Sequence, residues 1–420
     1  MAEHSLIRTL KNLRGNARGA VLTEPLWGIP FNLYAPYVSV YMLALGLNDE
    51  KIGLLTSIGM VFQVFWTIMS GAISDKLGRK RTTFIFDCLS WSVPTLIWAV
   101  AQDFRYFLVA TIINAVWRVT HNSWTLILVE DTDPDQLVDV YSWIYIAGLL
   151  AAFVSPLTGL VIGRFGLVPT MRGLYLLAFV MMTAKFLAMN AMVTETRQGE
   201  IRMRETADQG LFSLLRGYPA VLRQILRSPT TLYVALLMII LNVTTTIRGT
   251  FWSILAAEEV QVAEQQLALF PFARSITMMA FFFFFMPRLR RAAYLSEMGE
   301  RGLMIVGFVL FVVSQVLLIS APVGATWLLY VAAVLEGCAV PLTSTLMDKL
   351  LVVSVEAEER ARITALLNVT MLLGASPFGW IAGQLSAVNR RLPFVLVTVL
   401  FALAAAVVYL ADRRAAEAAG

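Results

Sequence analysis

The residues SGAISDKLGRKR, 70–81, stand between two strongly apolar runs, and their reading decides the fold. Gly71 can let backbones approach closely, and Gly78 permits a tight reversal. Asp75 offers an acceptor at a helix end, while Arg79, Lys80 and Arg81 hold the turn at a cytoplasmic membrane face. A turn this basic between segments this apolar predicts that both flanking segments are membrane helices.

Composition extends that reading to the whole chain. Of 420 residues, 58% are hydrophobic and only 15% are charged, too apolar a balance for soluble domains. The formal net charge of +5 comes from basic residues in short loops rather than an aromatic-interleaved patch, so nucleic acid is not an expected partner. Arg8, Lys11, Arg14 and Arg18 are followed by no short apolar core and cleavage site, and the amino terminus is expected to be retained. Cys88 and Cys338 lie in apolar runs and suit packing; no paired spacing of Cys or His suggests a metal, and no cofactor is expected.

Apolar runs of about 19 to 26 residues, long enough to cross a bilayer core, recur along the sequence. Twelve are predicted, at 22–46, 51–74, 83–101, 105–129, 138–163, 172–193, 230–255, 263–286, 302–321, 326–350, 362–386 and 393–411. Most Lys and Arg fall on one side, including Lys76 to Arg81, the arginines of 197–227, and Arg288, Arg290 and Arg291. The positive-inside rule then places both termini in the cytoplasm of a multi-pass protein of the cytoplasmic (inner) membrane. The polar segment 194–229 divides the spans into halves 1–193 and 230–420. Within it, LFSLLRGYPAVLRQIL around Pro219 reads as an amphipathic helix at the interface. The halves echo one another weakly, with SPLTG at 155–159 and SPFG at 376–379.

In residue order and spacing, Gly71, Asp75, Gly78, Arg79 and Lys80 resemble the loop signature of the major facilitator superfamily. The resemblance covers the full length, because twelve spans, a central cytoplasmic loop and a repeated six-span half also mark that superfamily. It implies an all-α integral membrane protein, with twelve transmembrane helices in two pseudo-symmetric six-helix bundles around a central cavity. It also implies that Gly71, Asp75, Gly78, Arg79 and Lys80 act as a conformational latch during alternating access. The corresponding loop of the second half, MPRLRRAAYLSEMGERG, keeps the basic residues but lacks the Gly and Asp framework. SPLTG resembles the Gly-Pro motif of efflux-type antiporters, with Ser155 where Gly is usual, and a simple bend with a close contact at Gly159 is the alternative.

A charge at the bilayer centre costs roughly 2.5–3.5 kcal/mol on insertion scales, so deep ionisable groups normally face a partner or a watery cavity. Arg118, His121, Arg274 and Glu336 are deep, whereas Arg248 and Lys185 are close enough to span ends to reach water along their stems. Asn114, Arg118, His121, Asn122 and Thr125 make a polar stripe at helical spacing, with Trp117 and Trp124 beside His121. The resemblance puts cavity walls on the first, fourth, seventh and tenth spans. The expected cargo-binding residues are Asn32, Tyr34, Asn114, Trp117, Arg118, His121, Asn122, Trp124, Arg248, Trp252, Arg274 and Glu336. A structural polar network, or a buried Arg274–Glu336 pair, is the competing expectation. The excess of deep arginines over Glu336 suits an anionic cargo. Glu336, His121 and Glu24 are the expected proton-coupling groups.

No nucleotide-binding loop or nucleophile-and-base constellation appears, so neither an enzyme nor an ATP-driven pump is expected. The sequence suggests a proton-coupled secondary transporter, a monomer moving a small organic solute and favouring export. Import of a sugar or organic acid is the alternative within transport. A non-transporting sensor or scaffold is the alternative outside it.

Overall fold

The computed structural model describes residues 13–210, 229–285, 288, 294–353 and 360–419, and every regular element among them is helical. The helices are α1 Gly15–Thr23, α2 Pro25–Tyr34, α3 Val38–Ala44, α4 Asp49–Leu77, α5 Arg79–Asp87, α6 Val93–Ala99, α7 Phe104–Asn114, α8 Trp117–Val129, α9 Pro134–Ala152, α10 Pro156–Phe165, α11 Leu167–Met192 and α12 Arg197–Thr206. They continue with α13 Pro229–Ile254, α14 Leu269–Ala280, α15 Tyr294–Ser320, α16 Thr326–Val353, α17 Arg360–Val388 and α18 Leu392–Ala419. The segment expected to form an interfacial helix around Pro219 lies outside the described residues, as do Arg290 and Arg291.

Nine helical stretches among the described residues are long and apolar enough to cross a membrane. The three other predicted spans, 22–46, 83–101 and 105–129, are helical and divided into shorter segments. The causes lie in the sequence. Pro25 starts α2, and Pro36 sits in a 3₁₀ turn at Ala35–Tyr37. A π-turn at Cys88–Ser92 precedes Pro94, and residues 115 and 116 separate α7 from α8. Proline has no N–H for the helix ladder, so the carbonyl four residues earlier is left without its bond.

The chain repairs these orphan carbonyls with side chains. The Ser90 carbonyl, four residues before Pro94, accepts from the Asn114 amide at 2.8 Å. The Ser155 hydroxyl donates at 2.8 Å to Ala152, four before Pro156, and Ser376 donates at 2.9 Å to Leu373, four before Pro377. The echo between SPLTG and SPFG is therefore a shared physical device. A Ser-Pro pair bends a helix and satisfies the carbonyl the bend exposes.

The chain groups into two compact units. One comprises Met1–Ala35 with Ile58–Ala220, and the other Pro36–Ser57 with Val221–Gly420. In the first, α1, α8, α9 and α11 meet over Ala17, Ala20, Val21, Ile127, Leu128, Val140 and Met189. In the second, the start of α4 packs on α17 through glycines: a Cβ on Gly53 would lie 2.7 Å from the Gly383 Cα, and one on Gly379 would lie 2.9 Å from the Ser57 nitrogen. Removing those side chains lets backbones touch, which is how helices associate where lipid supplies no hydrophobic drive. Ser57 accepts from the Trp380 N–H at 2.7 Å, and Ser386 donates to Asp49 at 2.6 Å. Gly379 and Gly383 form a GxxxG pair that was readable in the sequence.

Large apolar side chains cover the outside. Leu157, Leu160 and Phe165 on α10 and Val309, Val313 and Val316 on α15 are exposed, as a lipid-facing surface requires.

Candidate functional site

The loop after α4 is densely bonded through polar and charged groups of the first unit. Gly78 separates α4 from α5 at φ +83°, a conformation glycine adopts without strain. That reversal turns the first N–H groups of α5 outward, where the Glu195 carboxylate accepts from Arg79 N–H at 2.7 Å and Lys80 N–H at 3.0 Å. An acceptor at a helix N-terminus also meets the positive end of its dipole. The buried Arg79 guanidinium bridges Asp75 at 2.7 Å and Glu130 at 3.1 Å. Burial alone would lower the Arg79 pKa, but the hydrogen bonds it donates to Glu130 and Asp75 hold it above the ordinary arginine value. Arg202 of α12 reaches Asp75 at 3.2 Å, and the charge of Asp75 raises the Arg202 pKa. The Thr206 hydroxyl lies 3.2 Å from the Asp75 carbonyl, and the Lys76 ammonium donates to the Gln209 carbonyl.

Gly71 does not share in this. Among the described residues, a Cβ there would meet nothing within 4 Å, so the expected close backbone approach is not made by any of them. The acids Glu130 and Glu195 complete the loop instead, and Glu195 was not anticipated.

Along α8, Val119, Thr120, Ser123, Ile127 and Leu128 are buried, which places Arg118, His121 and Thr125 on the opposite face. His121 is exposed and Arg118 half-buried. The Arg118 Nε donates to the Gln63 side-chain oxygen at 3.0 Å, and its guanidinium lies 4.1 Å from the Trp117 ring centroid. Trp117 meets His121 edge-on at 5.6 Å. No carboxylate among the described residues pairs with Arg118.

The expected stripe does not run on one helix. Asn114 ends α7, and its amide is spent on the carbonyl exposed by Pro94. Trp124 turns away from Arg118 and packs on the α1–α9–α11 core, with the Lys185 ammonium 5.9 Å from its ring centroid. Lys185 is itself buried and bonded to Glu24 at 2.9 Å, contrary to the expectation that it reaches water. Tyr34 is buried against Tyr175 and Trp98, while Asn32 is half-buried and donates to the Gly28 carbonyl at 2.8 Å. Asn122 is half-buried on α8.

In the second unit, Glu336 joins groups from three other helices. Arg248 of α13 bonds both its carboxylate oxygens, Gln315 of α15 donates at 2.9 Å, and Arg274 of α14 approaches to 3.6 Å. Gly337 makes this possible, since a Cβ there would fall 2.9 Å from the Arg274 carbonyl. Arg248 is buried, not snorkelling, and lies 5.1 Å from the Phe311 ring centroid. Arg274 differs, with 43% of its side chain accessible against 9% for Arg248. Two guanidinium groups for one carboxylate leave this cluster one positive charge in excess. Trp252 meets Phe270 at a tilt, with ring centroids 5.0 Å apart, and Phe270 stacks on Tyr330, in the same unit. Gln63 and Gln315 were missed at the sequence level, where a lone glutamine carries no pairing signal.

Helices long and apolar enough to cross a membrane carry these polar clusters in both units. The chain belongs to the MFS_1 like family, whose model matches residues 31–347. Its fold is that of the nucleoside transporter NupG, with a TM-score of 0.69 at 17% identity, covering 94% of this chain and 98% of that one. The human organic anion transporter MFSD10 (TETRAN) gives 0.63 at 17% identity, over 97% and 100%. A POT family transporter solved with 5-aminolevulinic acid gives 0.71 at 12% identity, over 96% and 98%. No curated protein shows significant sequence similarity to the chain. These findings make it a multi-pass membrane transporter of the major facilitator type, not an enzyme.

Proposed function

We propose that the chain is a twelve-span secondary transporter, in halves 1–193 and 230–420, that moves a small organic anion by alternating access. The observation that carries this reading is Arg118: a mid-span guanidinium held by a neutral glutamine and a tryptophan face, with no acid beside it among the described residues. Keeping such a charge costs roughly 2.5–3.5 kcal/mol, a penalty that a carboxylate, sulfonate or phosphate on the cargo offsets through bidentate bonds. Within the second unit, Arg274 is likewise accessible and only partly matched by Glu336. Trp117 and His121 supply flanking surfaces beside Arg118 on α8. The organic anion transporter MFSD10 offers a precedent for anionic cargo on this fold.

Proton coupling runs through His121, which is exposed beside Arg118, and through release of Glu336 from its arginines. The loop residues Asp75, Gly78, Arg79 and Lys80 serve as the conformational latch. Outward movement rests on Pro156 and Gly159, since the Ser155 hydroxyl already has a structural task.

A thermal-shift screen of purified protein tests the reading, using carboxylates, sulfonates and phosphates alongside neutral nucleosides, sugars and organic amines. Stabilisation by one anionic class, lost in Arg118→Gln, supports it. Stabilisation by a neutral or cationic class, or retention in Arg118→Gln, refutes it.

A further inference from the structure

The second unit carries a level of aromatic rings beside its level of charges. On α13, Trp252 stands four residues beyond Arg248; on α14, Phe270 stands four before Arg274; on α16, Tyr330 stands six before Glu336. At a rise of about 1.5 Å per residue, these offsets place the rings about 6 to 9 Å along the helices from the charges. Both levels close across the same three helices. Trp252 lies 5.0 Å from Phe270 and Phe270 lies 4.4 Å from Tyr330, centroid to centroid, while Arg248 and Arg274 meet at Glu336. The offsets have the signs required when α13 runs opposite to α14 and α16, so the rings stay together at one level and the charges at the other.

The two levels differ in what they leave open. Phe270 is 2% exposed and enclosed between its neighbours, whereas Trp252 and Tyr330 are half-buried. Glu336 gives both carboxylate oxygens to Arg248, and the Arg274 guanidinium, 43% accessible, has a single ion-pair contact among the described residues, at 3.6 Å. Its backbone is nonetheless fixed. A Cβ on Gly337 would lie 2.9 Å from the Arg274 carbonyl and 2.7 Å from the Thr277 Cβ, so α14 and α16 touch directly. A guanidinium with donors to spare therefore stands one helical turn from the ring level.

We propose that the second unit holds a subsite for an aryl anion, with Arg274 taking the acid group and Trp252 and Tyr330 taking the aromatic ring. This rests on the anion reading and narrows it, from organic anions at large to those whose ring and acid group are joined by a short linker. A ring packed against a ring gains from face and edge electrostatics in addition to apolar burial, and a saturated ring of the same size gains the burial alone. Trp252 and Tyr330 are then the residues that set specificity for the body of the cargo, and its charge falls to Arg274.

The test compares binding of phenylpropanoate and cyclohexylpropanoate to the purified full chain by titration calorimetry. The two acids share charge and length and differ in the ring. Wild type should bind the aryl acid about two- to tenfold more tightly. The ratio should fall to near one in Trp252→Leu and in Tyr330→Leu, and Arg274→Gln should weaken both acids together. The ratio is taken within each variant, so a loss of stability does not mimic the effect, and the second ring variant serves if the first does not fold. Equal binding of the two acids, or tighter binding of the cyclohexyl acid, overturns the aryl subsite and leaves the anion reading standing. A ratio that survives both ring substitutions, or binding undiminished in Arg274→Gln, also overturns it. Binding of neither acid, with a neutral solute bound instead, overturns the anion reading and this subsite together.

Discussion

Replacing Glu336 with Gln removes the one negative charge that Arg248 and Arg274 share. Arg248 is left with a 9% accessible side chain and no counter-charge, and losing one partner of a buried pair costs about 3–5 kcal/mol. For a unit of this size each kcal/mol shifts the unfolding midpoint by about 2–4 °C, so Glu336→Gln should lower it by about 6–20 °C. Arg248→Gln should fall in the same range. Arg274→Gln should not, because that side chain is 43% accessible and 3.6 Å from the carboxylate, a geometry worth about 0–1 kcal/mol. The joint replacement Arg248→Met with Glu336→Met should recover much of the loss, since a well-packed apolar pair is often neutral against a buried ion pair. The assay is thermal unfolding of the detergent-purified protein across the set. If Arg274→Gln destabilises as much as Arg248→Gln, or if Glu336→Gln barely moves the midpoint, the division between a structural and a cargo-facing arginine is wrong.

Gly53→Val should destabilise the second unit by about 1–3 kcal/mol through overpacking against Gly383, read as a lower unfolding midpoint; an unchanged midpoint would contradict the close approach. Asn114→Ala should cost about 1–3 kcal/mol by leaving the Ser90 carbonyl unsatisfied, yet leave ligand selectivity intact; altered selectivity would return Asn114 to the cargo site. Asp75→Asn should loosen Arg202, and amide hydrogen exchange in Arg197–Thr206 should accelerate. Exchange at the wild-type rate would mean that helix is held by other contacts.

The fold was legible because membrane insertion writes itself into apolar runs and basic loops, and the SGAISDKLGRKR turn formed where its Gly78 and Asp75 required. The prolines at 25, 36 and 94 were also visible, but whether a helix bends or breaks depends on which side chain reaches the freed carbonyl. That partner can be local, as Ser155 is, or distant, as Asn114 is. Ion pairing was the least legible feature. Glu24 and Lys185 are 161 residues apart and Arg248 and Glu336 are 88 apart, so only packing of their helices brings them together. That Arg118 and His121 share one face of α8 was legible from their spacing, because the register of a helix is local. Trp124, three residues beyond His121, already falls on the neighbouring face of α8, where it packs against residues of α1, α9 and α11.

The central claim is that Arg118 binds the negative charge of the cargo. Counterflow of the stabilising anion in proteoliposomes, compared between wild type, Arg118→Lys and Arg118→Gln, tests it most directly. The account predicts exchange by wild type, weakened exchange by Arg118→Lys, which keeps the charge but loses the bidentate fork, and none by Arg118→Gln. Undiminished exchange by Arg118→Gln would contradict it.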